Sequence, residues 1–146
     1  MNKEEMLAFA RARLKPVTCL DQVEVLACEP GLARIQAPVT DHAKNAFGNA
    51  HGGWLYTLCD SCSGLAACAG GYAHVTLQAS MNYLAAGRPG DLLTVEAVSE
   101  HAGRSTCVNR VTITDQEGRL LATASFTMFR LEEKVPGLGC APSCGI

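Results

Sequence analysis

From Trp54 to about Ala69 the apolar positions recur at three- and four-residue steps, at Leu55, Leu58, Cys59, Cys62, Leu65, Ala66 and Ala69. That is the spacing of one helical face, and it predicts a single long helix. Ahead of it, Glu4 to Leu14 can form a short amphipathic helix ended by Pro16, while Val23 to Cys28 and Leu32 to Pro38 read as strands joined by a Pro30-Gly31 turn. Behind it come four more strand candidates, His74 to Leu84, Leu92 to His101, Ser105 to Thr114 and Leu120 to Leu131. Their separators, Gly87-Arg88-Pro89-Gly90, Ala102-Gly103-Arg104 and Asp115-Gln116-Glu117-Gly118, are turn chemistry. Turns this close together, with no helix between them, favour an antiparallel sheet. The expected architecture is therefore α+β, one long helix wrapped by a curved antiparallel sheet. The small helix residues Cys59, Cys62, Gly64, Ala66, Cys68 and Ala69 suit such close wrapping. We expect one domain over residues 1–132, with 1–16 as N-terminal helix and linker, and a tail over 133–146.

Asp60 falls off the apolar stripe. On a helix it shares a face with Tyr56, Ser63, Gly64 and Ala67, a carboxylate in mid-helix on the side that the main core does not use. At the helix start stand Gly52 and Gly53, preceded by a polar loop. The first N–H groups of a helix carry partial positive charge and lack intrahelical partners, so these glycines can offer donors to a developing oxyanion. Eight residues separate Gly52 from Asp60, about 12 Å along the axis, so one helix cannot bring both to one carbonyl. If the two act together, amide and carboxylate come from different subunits, and a two-fold dimer with an interface site is expected.

Asn45, then His51-Gly52-Gly53 six residues on, then Asp60 nine positions after the histidine, then a strand containing Thr76, is a pattern that resembles the hotdog-fold acyl-CoA thioesterases, in particular the PaaI-like subgroup of phenylacetate degradation. The similarity runs on through Val75 to Leu84, Gly90-Asp91-Leu92-Leu93, Gly103-Arg104-Ser105 and Asp115-Gln116-Glu117-Gly118, and spans roughly residues 20 to 131. One departure is visible: the family often has proline soon after the Tyr-Leu pair, where Ala85-Ala86-Gly87-Arg88-Pro89 stands here. The resemblance implies the hotdog fold and hydrolysis of an acyl-CoA thioester. It implies that the Gly52 amide polarises the carbonyl and that Asp60 acts as general base or as nucleophile. Asn45 would hold the thioester or the attacking water, and the Thr76 hydroxyl would orient that water. His51 and Gly53 become candidate substrate contacts at the helix start, and Arg104 a candidate contact to the nucleotide end of coenzyme A. The expected assembly is a homodimer or a dimer-of-dimers tetramer. Two other readings remain beside it: a non-catalytic acyl-CoA-binding or regulatory module, against which Asn45, Gly52, Asp60 and Thr76 speak together, and a hotdog dehydratase, whose histidine setting His42, His74 and His101 do not reproduce. Trp54, Tyr56, Tyr72 and Tyr83 suit an aryl or a fatty-acyl pocket equally.

The remaining composition narrows the setting. Of 146 residues 48% are hydrophobic and 18% charged, which suits one domain with a sizeable core. A formal net charge of -2 gives no reason to expect nucleic acid or an acidic membrane as partner. No leader-like apolar run follows Met1, and no segment approaches the roughly 20 apolar residues of a membrane span, so cytoplasm is expected. The eight cysteines are expected as free thiols, since a patterned core needs no disulfide staples. Cys59-Asp60-Ser61-Cys62 matches C-x-x-C but lies two turns inside the helix, where small core residues are the plainer reading. Cys140 and Cys144 have no histidine near them in sequence, and neither metal nor organic cofactor is called for.

Overall fold

The computed structural model describes Glu4, Arg11 and residues 19–136. The expected N-terminal helix, apart from those two residues, and the tail beyond Pro136 lie outside the described residues. The chain runs β1 (Glu24–Glu29), β2 (Leu32–Pro38), a short 3-10 turn (Asp41–Ala43), α1 (Gly52–Cys68), β3 (Tyr72–Tyr83), β4 (Leu92–Ala102), β5 (Thr106–Thr114) and β6 (Leu120–Lys134). Among the described residues the six strands form one antiparallel sheet in the order β1-β2-β4-β5-β6-β3. This is the hotdog arrangement expected from the pattern. The Pro30-Gly31 turn is where expected, with Gly31 at φ 80, a backbone region that glycine enters without steric cost.

α1 lies on the sheet's inward face. β2 alternates strictly, with Ala33, Ile35 and Ala37 buried and their neighbours only partly so, and β4 does the same through Leu93, Val95 and Ala97. Leu58, Ile113, Leu121 and Phe126 fill the space between, all fully buried. The small residues let helix and sheet approach closely: the Cys62 thiol reaches the Ala33 carbonyl at 3.4 Å and the Val95 carbonyl at 3.5 Å. Cys59 and Cys62 are both buried, and burial pushes both thiols up to about 12, so the C-x-x-C pair is core. The six cysteines among the described residues are free.

The structure corrects two details of the sequence reading. Ser63, grouped by helical geometry with Asp60 on the unused side, is fully buried, because Asn109 of β5 meets it: the Asn109 Nδ2 donates to the Ser63 carbonyl at 3.1 Å and its hydroxyl at 3.0 Å. The last strand also runs three residues past Leu131, pairing Lys134 with Tyr72, so the 132/133 boundary falls inside β6. Among the described residues no helix is long and apolar enough to cross a membrane.

β3 differs from the other strands. Among the described residues it pairs only with β6 and its other edge is open, and along it Val75 and Leu77 are 48% and 62% exposed. An open edge carrying apolar side chains invites strand pairing with another chain. Its inner side chains meet the core instead. Phe126, opposite Ala79 in the ladder, is wholly buried, with its ring 5.3 Å from that of Tyr56 on α1. Phe126→Ala should therefore lower the free energy of unfolding by about 3–5 kcal/mol, read from urea denaturation of the mutant against the parent chain.

Candidate functional site

The loop before α1 is tight because Asn45 organises it. Its Oδ1 accepts from the Phe47 N–H at 2.9 Å and the Asn49 N–H at 3.1 Å, and its backbone N–H donates to the Asn49 carbonyl at 2.8 Å. Two N–H donors fix which side-chain atom is oxygen. The Nδ2 group has no partner among the described residues and remains available as a donor.

His51 caps the helix. Its Nδ1 accepts from the Gly53 N–H at 3.0 Å, which puts the proton of the neutral ring on Nε2. A Cβ at Gly53 would stand 3.1 Å from that Nδ1, so glycine here lets the ring fold back over its own helix start. The cap uses the Gly53 N–H and leaves the Gly52 N–H without a partner among the described residues. Gly52 is not in a left-handed conformation, so backbone strain does not account for glycine at this position.

Gly52, Asn45 and Asn49 line a cavity of about 400 Å³ together with Leu55, Tyr83 and Leu84, and the Ala85-Ala86-Gly87 segment closes its far wall. This wall is the stretch that departs from the family pattern, and it is firmly held. Leu84 and Ala85 both donate to the Leu121 carbonyl, the Ala50 N–H donates to Gly87 at 2.7 Å, and Arg119 Nη2 donates to Ala86 at 3.0 Å. Arg119 is in turn anchored on Asp115 through Nε at 3.1 Å. A Cβ at Gly87 would meet that of Ala50 at 3.0 Å, so a larger residue here would press the wall away from the Asn45 loop by a few tenths of an ångström.

Asp60 is partly buried two turns further along α1 and is absent from that cavity. The Thr76 hydroxyl donates to Asp60 Oδ1 at 2.5 Å. A charge-assisted bond of this kind ties the carboxylate to β3 and leaves Oδ2 without a partner among the described residues. Arg104 is exposed in the β4–β5 turn. The ladder row Cys107–Met128–Thr76 puts it at the Asp60 end of the sheet, three residues before Cys107. The nearby Arg130 guanidinium stacks over the Tyr72 ring, 3.7 Å from its centroid.

The structure thus gathers Asn45, His51, Gly52 and Gly53 at one end of α1, and Asp60 and Thr76 with Arg104 toward the other. Sequence reasoning weighed Tyr83 only as a pocket-lining aromatic. Its hydroxyl donates to the Gly52 carbonyl at 2.7 Å, and burial raises its pKa from the ordinary phenol value, which keeps it a donor. Gly87, Ala86 and Arg119 were not singled out as site residues, and only the missing proline marked their segment as unusual. No cluster of three or more metal-ligating side chains exists among the described residues.

Residues 47–122 match the thioesterase superfamily. A 1,4-dihydroxy-2-naphthoyl-CoA hydrolase of Listeria monocytogenes is 30% identical over 109 residues, 73% of this chain and 88% of the relative. The acyl-coenzyme A thioesterase PaaI of Escherichia coli is 29% identical over 100 residues, covering 68% and 71% of the two chains. Among solved structures, a hypothetical thioesterase protein of Streptococcus pneumoniae with coenzyme A superposes with a TM-score of 0.80 at 41% identity, covering 83% of this chain and 98% of that one.

His51→Ala should remove the cap and return an unpaired N–H to Gly53. A loss of about 0.5–2 kcal/mol in unfolding free energy is the expected result, measured by chemical denaturation.

Proposed function

The chain belongs to the thioesterase superfamily as a PaaI-like thioester hydrolase of hotdog fold, and we propose that it cleaves an acyl-CoA thioester to free acid and coenzyme A at a site shared by two subunits. One observation carries the shared site: the unpaired Gly52 N–H and the Thr76-bound carboxylate of Asp60 lie eight residues apart on the same helix, about 12 Å along its axis. No single thioester carbonyl spans that gap. The exposed apolar edge of β3, which carries Thr76, supports a second chain docking there.

In the proposed reaction the thioester oxygen accepts from the Gly52 N–H, where the helix dipole favours the growing negative charge. Asn45 Nδ2 supplies a second donor, to the thioester or to water. Asp60 of the other subunit, held by Thr76 through Oδ1, presents Oδ2 either to a water, removing its proton as general base, or to the carbonyl carbon as nucleophile. The Thr76 proton is engaged on the carboxylate, so this hydroxyl orients the base and can only accept from the water. His51 and Gly53 support the reading as a cap that directs the neighbouring Gly52 N–H to the ligand. Arg104 would meet the phosphates of the coenzyme A portion. The reaction needs no metal or organic cofactor, and the same reading gives a homodimer or a tetramer made of two dimers, working in the cytoplasm.

Asp60→Asn should lower kcat at least about 100-fold in a folded protein, measured as thiol release from a panel of acyl-CoA thioesters. Near-normal turnover would remove Asp60 from the chemistry, and a parent protein that binds an acyl-CoA analogue without releasing thiol from any thioester would favour a regulatory module.

Complementation tests the shared site. Gly52→Pro deletes the N–H at a helix position that tolerates proline, and His51 before it already has the extended backbone proline requires, φ -69 and ψ 130. Mixed in equal amounts with Asp60→Asn protein under subunit exchange, it should restore about one quarter of parental activity, since half the dimers are mixed and each holds one intact site. No recovery despite demonstrated exchange would refute the sharing.

A further inference from the structure

Glycine pairs make loose helix starts, because both dihedrals of each residue are nearly unrestricted. An oxyanion donor has the opposite requirement: its N–H must already point at the developing charge before reaction begins. The sequence Gly52-Gly53 therefore poses a problem that something else in the molecule has to solve.

Apart from the helical ladder that begins at Gly52 itself, three hydrogen bonds surround this residue. On its N-terminal side the His51 carbonyl accepts from the Leu55 N–H at 3.0 Å, which anchors one end of the peptide plane that carries the Gly52 N–H. On its C-terminal side the Gly53 N–H is held by His51 Nδ1, and the Gly52 carbonyl accepts from the Tyr83 hydroxyl at 2.7 Å. Two of these bonds come from the helix start itself. The third is delivered from β3, and the Tyr83 ring also lies against the Gly52 backbone, its Cζ 3.4 Å from where a Cβ would be. Phenol, peptide group and imidazole form one chain of hydrogen bonds, each polarising the next.

We infer that Tyr83 is a positioning residue for the reaction: by holding the Gly52 carbonyl from β3 it restrains the otherwise free dihedrals of Gly52, and through them the direction of the Gly52 N–H that receives the thioester oxygen. The inference rests on the role proposed above for Gly52. A bulge in β3 makes it possible. Thr76 and Tyr83 are seven residues apart, an odd separation that would place them on opposite faces of a regular strand. The ladder slips between Thr76 and Gln78, with Leu77 as the extra residue, so Thr76 stands opposite Met128 and Tyr83 opposite Ala122, both buried positions of β6. One strand thereby grips α1 at both functional points, the carboxylate through Thr76 and the amide through Tyr83.

The test compares the parent with Tyr83→Phe, Gly52→Pro and the double variant on one acyl-CoA substrate, alongside amide hydrogen exchange at Gly53 in the parent and Tyr83→Phe. Tyr83→Phe keeps the ring and removes only the hydroxyl. It should lower kcat about 3- to 10-fold, the size of one ordinary hydrogen bond, while KM stays within about two-fold. The Gly53 amide, which is hydrogen-bonded and shares its peptide with the Gly52 carbonyl, should exchange several-fold faster, while the melting temperature falls by no more than about 8 °C. On the Gly52→Pro background the same change should cost nothing further, since the donor it orients is gone. Tyr83→Leu, which also removes the ring, should show at least the loss of Tyr83→Phe. Full kcat in Tyr83→Phe, equal losses in both backgrounds, or a change confined to KM would overturn the inference. The two failures are separable: a parent protein without thioesterase activity defeats the proposed function, whereas unaltered Gly53 exchange in Tyr83→Phe defeats the positioning role alone.

Discussion

Close contact between one helix and one sheet governs the rest of this molecule. α1 can approach until the Cys62 sulfur touches two carbonyls of β2 and β4 only because the facing positions, Ala33, Ala37 and Ala97, are small. At that distance the sheet must curve around the helix, and its last strand, β3, comes within side-chain reach of both the first turn and the middle of α1. The short side chain of Thr76 bonds Asp60, and the phenol of Tyr83 bonds Gly52. Larger residues on the helix would push β3 outward and release both contacts. Packing in the core and geometry at the proposed site are thus one constraint.

Most of the fold was legible because the helix and the inner strands carry clean periods. β2 lies where alternation put it, from Leu32 to Pro38, and the helix stripe identified Leu55, Leu58, Cys59, Cys62 and Ala66 as core. The helix begins two residues earlier than the stripe suggested, since glycine contributes nothing to a hydrophobic period and the His51 cap is a side-chain event. Of the site, Asn45, Gly52, Asp60 and Thr76 were marked by spacing and by resemblance. Thr76 was expected to orient the attacking water; in the structure its hydroxyl donates to the Asp60 carboxylate.

Tyr83 stayed hidden for a definite reason. Strand parity is the only guide a sequence offers to which residues share a face, and an extra residue at Leu77 reverses it halfway along β3. Counting from Thr76, Tyr83 belongs on the outer side. Nothing in the residues from Val75 to Leu84 announces the bulge, for it contains no glycine. The cavity wall from Ala85 to Gly87 was hidden for another reason: it is held by Arg119 and by the Ala50 N–H, both distant in sequence.

Asn109 has a consequence for how the sheet finds its alignment. It is the one inward-facing polar side chain in the row Cys107, Val111 and Ile113 of β5, and its Nδ2 group donates to the Ser63 hydroxyl and carbonyl while its Oδ1 has no partner among the described residues. Alternation of apolar and polar residues penalises a strand misaligned by one position, because every side chain then changes face; misalignment by two leaves the pattern intact and passes unpunished. Asn109 removes that degeneracy. Shifted by two residues in either direction, its carboxamide would enter the core away from Ser63 and lose its partner at a cost of about 1–3 kcal/mol. A single buried amide thus selects among registers that hydrophobicity alone would treat as equivalent.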